Sequence, residues 1–221
     1  ATVNKEEELI SFLSTGMTTT IEDLPCGLEC KDAKRNAISD LVNEIVAEDN
    51  NGVATIQAKD MIGTWELLYT SSKAMIRNRS LSGLTVTDDN IRFSAVQQTF
   101  TGSKFLGFVE FVETYTRDNN AEDSFNVKIT GEWMLQEDLR TAKSCGLKID
   151  PENIEYDAMN ASGMAEAAPV VQMGGGVSQV ADWQSLGPIK LLDIIYATPD
   201  LYIGRGPFDA SILFVWRKVK Q

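Results

Sequence analysis

The chain has 221 residues and sets 32 Asp and Glu against 20 Lys and Arg, a net charge of −12, so it repels phosphate backbones and nucleic acid is excluded as an expected partner. It has no histidine, which excludes Ser-His-Asp and Cys-His nucleophile systems and histidine metal sites. Its three cysteines, Cys26, Cys30 and Cys145, form neither a disulfide framework nor a four-ligand zinc set.

No apolar run approaches the ~18–20 residues of a transmembrane helix. The start, Ala1 to Glu8, lacks an apolar signal core, and the expectation is a mature chain whose targeting segment has been removed. Glu6 to Leu13 carries Leu9, Ile10, Phe12 and Leu13 and reads as a helix. Cys26 and Cys30 stand four apart after Pro25; they pair in a turn or remain two reduced thiols, and the spacing leaves this open. Asp32 is the expected N-cap of a second helix. Ile38, Leu41, Val42, Ile45 and Val46 form its apolar stripe, and Asn50-Asn51-Gly52 ends it. The opposite face holds Asp40, Glu44 and Glu48, so the stripe is expected to pack on the protein and not on a membrane.

From Gly63 the period changes to two. Thr64 to Ser71 alternates, with Leu68 as the exception; Ile91 to Phe100 and Phe105 to Thr116 follow, the latter apolar on both faces. Ser124 to Gln136 has the clearest alternation: Phe125, Val127, Ile129, Gly131, Trp133 and Leu135 share one side. Lys148 to Tyr156 adds a strand, Ala158 to Met173 alternates weakly, and Gly174-Gly175-Gly176 reads as a loop without the Lys-Ser/Thr of a phosphate site. Ser185 to Ile195 holds a short helical pattern, and Tyr196 to Gly204 and Ile212 to Val219 are the last strands. The expected architecture is mainly β: a helical extension over residues 1–60 packed on a lipocalin-like antiparallel barrel of about eight strands over residues 61–221. A β-sandwich is the competing arrangement.

Such a barrel can enclose one small ligand. The inward set on the best strands, Trp65, Leu67, Tyr69, Phe125, Val127, Ile129 and Trp133, supplies apolar and aromatic walls. Gly131 among them either leaves room for a ligand or marks a bend. Arg205, in Gly204-Arg205-Gly206-Pro207, has three readings: a donor to a headgroup at the barrel mouth, a partner of Asp200, or a cap on a loop carbonyl. Glu110, Glu113, Glu132, Glu137 and Asp138 read as a solvated strand face. Their spacing sets no two at a separation useful for acid–base chemistry. The chain is therefore expected to be a binding protein and not an enzyme, with no required cofactor and no metal.

Two segments carry a family resemblance. Gly63-Thr64-Trp65-Glu66-Leu67-Leu68-Tyr69-Thr70-Ser71-Ser72 resembles the opening strand of the plastid lipid-associated proteins, also called plastid fibrillins or plastoglobulins. Thr198-Pro199-Asp200-Leu201-Tyr202-Ile203-Gly204-Arg205-Gly206, followed by Ile212 to Arg217, is similar to that family's closing strands. At Tyr202 the chain departs from the family, which usually carries Arg there. The match carries over Asp200 and Arg205 as polar site positions. It implies a lipocalin-like barrel that resides in plastids, peripheral to the thylakoid or plastoglobule, and binds a carotenoid, a quinone or a lipid. The alternative is an accessory protein with a filled barrel, docked on a thylakoid photosynthetic membrane complex through the apolar stretch Phe105 to Val109.

Overall fold

The computed structural model describes residues 5–15, 24–49, 53, 56–86, 90–102, 106–117, 120–136, 141, 144–156, 177–179 and 185–220. Among these are four α-helices: α1 (Lys5–Thr15), α2 (Asp32–Glu48), α3 (Ala58–Met61) and α4 (Lys73–Asn78). The strands are β1 (Gly63–Thr70), β2 (Ile91–Gly102), β3 (Gly107–Arg117), β4 (Asn120–Gln136), β5 (Cys145–Tyr156), β6 (Val177–Gln179), β7 (Leu191–Ala197), β8 (Leu201–Arg205) and β9 (Leu213–Lys218). Neighbours run β4-β3-β2-β1-β9-β8-β7-β5, and β4 pairs with β5 to close the ring. The result is an eight-stranded antiparallel barrel, with β6 attached beside Asn153 to Glu155 of β5. Closure removes the open sheet edges that would otherwise template aggregation.

Two apolar clusters follow from the alternation. The inner one lines the barrel with Trp65, Phe93, Phe111, Ile129, Tyr202 and Trp216, among others. The second lies outside, where Leu9 and Leu13 of α1 and Ile38, Val42 and Ile45 of α2 cover Ile195, Leu201, Ile203, Leu213 and Val215. Strands β7 to β9 are thus buried on both faces, which is why they read as nearly continuous apolar runs. Helix α2 starts at its expected cap, Asp32: Lys31 occupies the cap position and makes no side-chain cap bond. Asp32 is instead a first-turn residue, where its charge favours the helix N-terminus.

The structure also corrects the end of the chain. The segment read as short helix and single strand is a 3-10 turn, Gly187–Ile189, followed by a β7–β8 hairpin that turns at Thr198-Pro199-Asp200. The helical pattern there arose because Leu191, Leu192, Ile194 and Ile195 are apolar around a single Asp193, serving the barrel with Leu192 and Ile194 and the helices with Ile195. Residues 157–176, including the weak alternation and the three glycines, lie outside the described residues. The cysteines are free. Cys26, at φ 58, sits in a turn whose Gly27, Leu28 and Cys30 carbonyls accept from the Arg35 guanidinium at 2.9–3.2 Å. Its buried thiol donates to Leu67 O, and burial pushes that thiol's pKa up.

Candidate ligand-binding interior

Six of the seven expected wall residues, Trp65, Leu67, Phe125, Val127, Ile129 and Trp133, lie in the inner cluster. Tyr69 does not. A bulge between Leu67 and Tyr69 shifts the β1–β9 register, so Leu67 faces Trp216 while Tyr69 faces Val215. The extra residue reverses the alternation, and Tyr69 joins the helix-facing cluster. Gly131 marks a bend, not space: a Cβ there would lie 2.1 Å from Asp150 O, where β5 crosses at a bulge beside Pro151.

The interior also holds residues that the sequence reading left out. Tyr202 stands between Trp65 (ring centroids 4.9 Å apart, edge-on) and Trp216 (6.0 Å, stacked), and its hydroxyl donates to Gln98 Oε1. Phe111 reaches Trp216 from the facing wall at 6.4 Å. A second group runs Phe93–Tyr115–Phe125, at 6.0 and 5.4 Å. The indole N–H of Trp65 donates to Met61 O at 2.8 Å and that of Trp133 to Thr101 O at 3.1 Å. The indole N–H of Trp216 is buried and has no hydrogen-bond partner among the described residues. Phe214 and Trp216 alternate with outward Leu213 and Val215, a period-two signal that places both on the inner face.

Glu113 is the largest departure from the expected solvated face. Its carboxylate is fully buried and accepts from Leu81 N (2.5 Å), Ser82 N (3.0 Å) and the Tyr115 hydroxyl (2.8 Å). Burial pushes its pKa up, and these hydrogen bonds hold part of the rise back. The group ties the segment after α4 into the barrel end where β3 finishes. Val109, Phe111, Glu113 and Tyr115 are all buried at alternate positions, so the period that identifies β3 also turns Glu113 inward.

The two polar positions carried over from the resemblance do not meet. Asp200 lies exposed in the β7–β8 turn, 3.9 Å from Lys220, beside an open groove of about 680 Å³. Arg205 stands at the far end of β8, roughly 16 Å along the strand. Its Nη2 donates to Asn43 Oδ1 of α2 at 2.8 Å, and half-burial lowers its pKa. It is therefore held under a helix on the outer wall. Among the described residues no lysine or arginine is buried as a whole, but Arg205 Nε and Lys34 Nζ are buried at the helices without a hydrogen-bond partner.

A closed antiparallel barrel with an aromatic interior, helices on its outer wall and no cluster of His, Cys, Asp and Glu able to hold a metal among the described residues is a lipocalin-like barrel. The PAP_fibrillin family model matches residues 12–215, and the chain belongs to this family of plastid lipid-associated proteins. The family is one of structural lipid-associated proteins, not known as enzymes. No curated protein and no solved structure matches the chain. Among the described residues no helix is long and apolar enough to cross a membrane.

Proposed function

We propose that the barrel holds one small, neutral, apolar molecule carrying an oxygen acceptor, of the quinone, oxygenated carotenoid or lipid ester class, at the thylakoid or plastoglobule. The observation that carries this reading is the Trp216 indole N–H, buried in the middle of the barrel with no acceptor among the described residues. A buried donor left unpaired costs about 1–3 kcal/mol, and a ligand oxygen removes that cost. Two further features support this class. The wall is aliphatic and aromatic, as apolar ligands require. The buried cationic nitrogens, Lys34 Nζ and Arg205 Nε, lie at the helices, and the polar side chains described in the interior offer a carboxyl and no cation, so an anionic ligand there meets nothing to neutralise it.

A ligand of matched shape with and without the oxygen tests this. A decyl-substituted benzoquinone, followed by quenching of tryptophan emission, is expected to bind saturably and about 5–10-fold tighter than decylbenzene, the worth of roughly 1 kcal/mol for one hydrogen bond. Trp216→Phe is expected to erase that preference even if it weakens both probes through lost packing. Equal binding of the two probes by the native protein removes Trp216 as the anchor. Failure of quinone, carotenoid and lipid alike to bind favours the second reading, a filled scaffold, which draws on the chain of ring contacts from Phe111 through Trp216 and Tyr202 to Trp65.

A further inference from the structure

Among the described residues, the helices cover one side of the barrel's outer wall. The helix-facing cluster contains residues of β1, β7, β8 and β9 and none of β3 or β4. On that uncovered side three large apolar side chains stand out: Leu106 at 51% exposure, Phe108 at 50% and Met134 at 51%. Their grouping follows from the register. Gly107 pairs with Trp133 and Phe108 with Glu132, so the next step sets Met134 beside Leu106, and all three point outward from the end where β2 turns into β3. Leu106 and Phe108 belong to the doubly apolar stretch, and no described helix covers their outward face.

The size and charge of this tip select its occupant. Three half-exposed side chains offer roughly 300 Å² of apolar surface, well below the ~800 Å² that each partner contributes to a stable protein interface. A bilayer or oil surface needs no matching partner and accepts a small apolar tip. The same end of the barrel sets Glu6, Glu7 and Glu66 beside Lys218, Lys220 and Asp200, and the exposed Glu132 pairs with Phe108, so the apolar tip is ringed by carboxylates within a chain of net charge −12. The surface it fits is therefore an uncharged one, a neutral galactolipid or an oil droplet, and an anionic surface repels it.

We propose that this end of the barrel inserts Leu106, Phe108 and Met134 into the interface of a lipid surface. The insertion stands whether or not the interior holds a ligand. Flotation with vesicles of digalactosyldiacylglycerol alone tests it. The triple variant Leu106→Gln, Phe108→Gln, Met134→Gln is expected to lose about 100-fold in its bound-to-free ratio, with an unchanged unfolding temperature because all three side chains are already half in water. Phe208→Ser is the matched control: Phe208 is 94% exposed on the β8–β9 turn at the opposite end, and its loss is expected to leave flotation unchanged. Phe108→Trp is expected to shift its emission to the blue and to be quenched by brominated lipid. The proposal is overturned if the triple variant floats like the native protein, or if Phe208→Ser abolishes flotation. It is also overturned if the native protein ignores vesicles and forms a dimer that the triple variant dissociates, which would give this face to a second copy of the chain.

Discussion

Glu113→Ala is expected to destabilise the protein by about 3–5 kcal/mol, because three buried donors lose their only carboxylate at once. Leu81 N, Ser82 N and the Tyr115 hydroxyl converge on its two oxygens. Tyr115 has a second outlet at Ser82 Oγ, 2.6 Å away, but the two backbone amides lose theirs. Glu113→Gln is expected to cost less, about 1–3 kcal/mol, since one amide oxygen replaces one carboxylate oxygen while the amide nitrogen opposes a donor. Chemical denaturation of the three proteins at one pH orders them. The native protein carries an additional signature. The Glu113 pKa is raised by burial above its ordinary 4.5, so its contribution is complete below that value and is lost as pH rises through the folded-state pKa. Stability plotted against pH should decline over that window for the native protein, and Glu113→Gln should remove that part of the decline. A pH dependence identical in both would show that Glu113 does not titrate in the folded state.

Gly131→Ala is expected to cost about 3 kcal/mol or more, at the upper end for overpacking, although alanine is the mildest substitution available. The added Cβ would lie 2.1 Å from Asp150 O and 2.8 Å from Pro151 Cα, both backbone atoms that move only with the strand. Pro151 sits at this bulge, where its missing N–H breaks no ladder bond. Gly187→Ala, where a Cβ meets nothing within 4 Å, is the control and should change stability by less than about 0.5 kcal/mol. Thermal unfolding distinguishes the two, and a tolerated Gly131→Ala would mean that β4 and β5 separate at the bulge without cost.

The period-two pattern made the barrel legible because its inner and outer faces differ in most strands. Ser124 to Gln136 and Thr64 to Leu67 identify their inner sides directly. The pattern was least informative where both faces are buried. The segment Leu191 to Ile195 serves two cores at once, so its apolar residues, interrupted only by Asp193, lacked a period of two and read as helix. Bulges defeated the alternation differently: the one at Leu67/Tyr69 moved Tyr69 to the outside, and nothing in Leu-Leu-Tyr marks it. Glu113 was legible and was misread by residue type, since its alternation with Phe111 and Tyr115 points inward. Trp216 was also within reach through its alternation with Phe214. The missing acceptor for its N–H is a three-dimensional fact, dependent on Tyr202, Phe111 and Leu67 meeting around it, and no local pattern contains it.

The helices on the outer wall have a consequence for how the chain is made. α1 and α2 are the first described elements to leave the ribosome, and the strands they cover, β7, β8 and β9, are the last. Glu6 meets the Tyr196 hydroxyl across 190 residues of chain, and β1 closes against β9. Neither the helices nor the barrel can bury its apolar face until synthesis is nearly finished. Such non-local closure is slow, and the waiting intermediate exposes sticky surface to its neighbours. The chain should therefore depend on chaperones during synthesis more than its size alone implies, and a version starting after α2 should collect in inclusion bodies instead of yielding a free barrel.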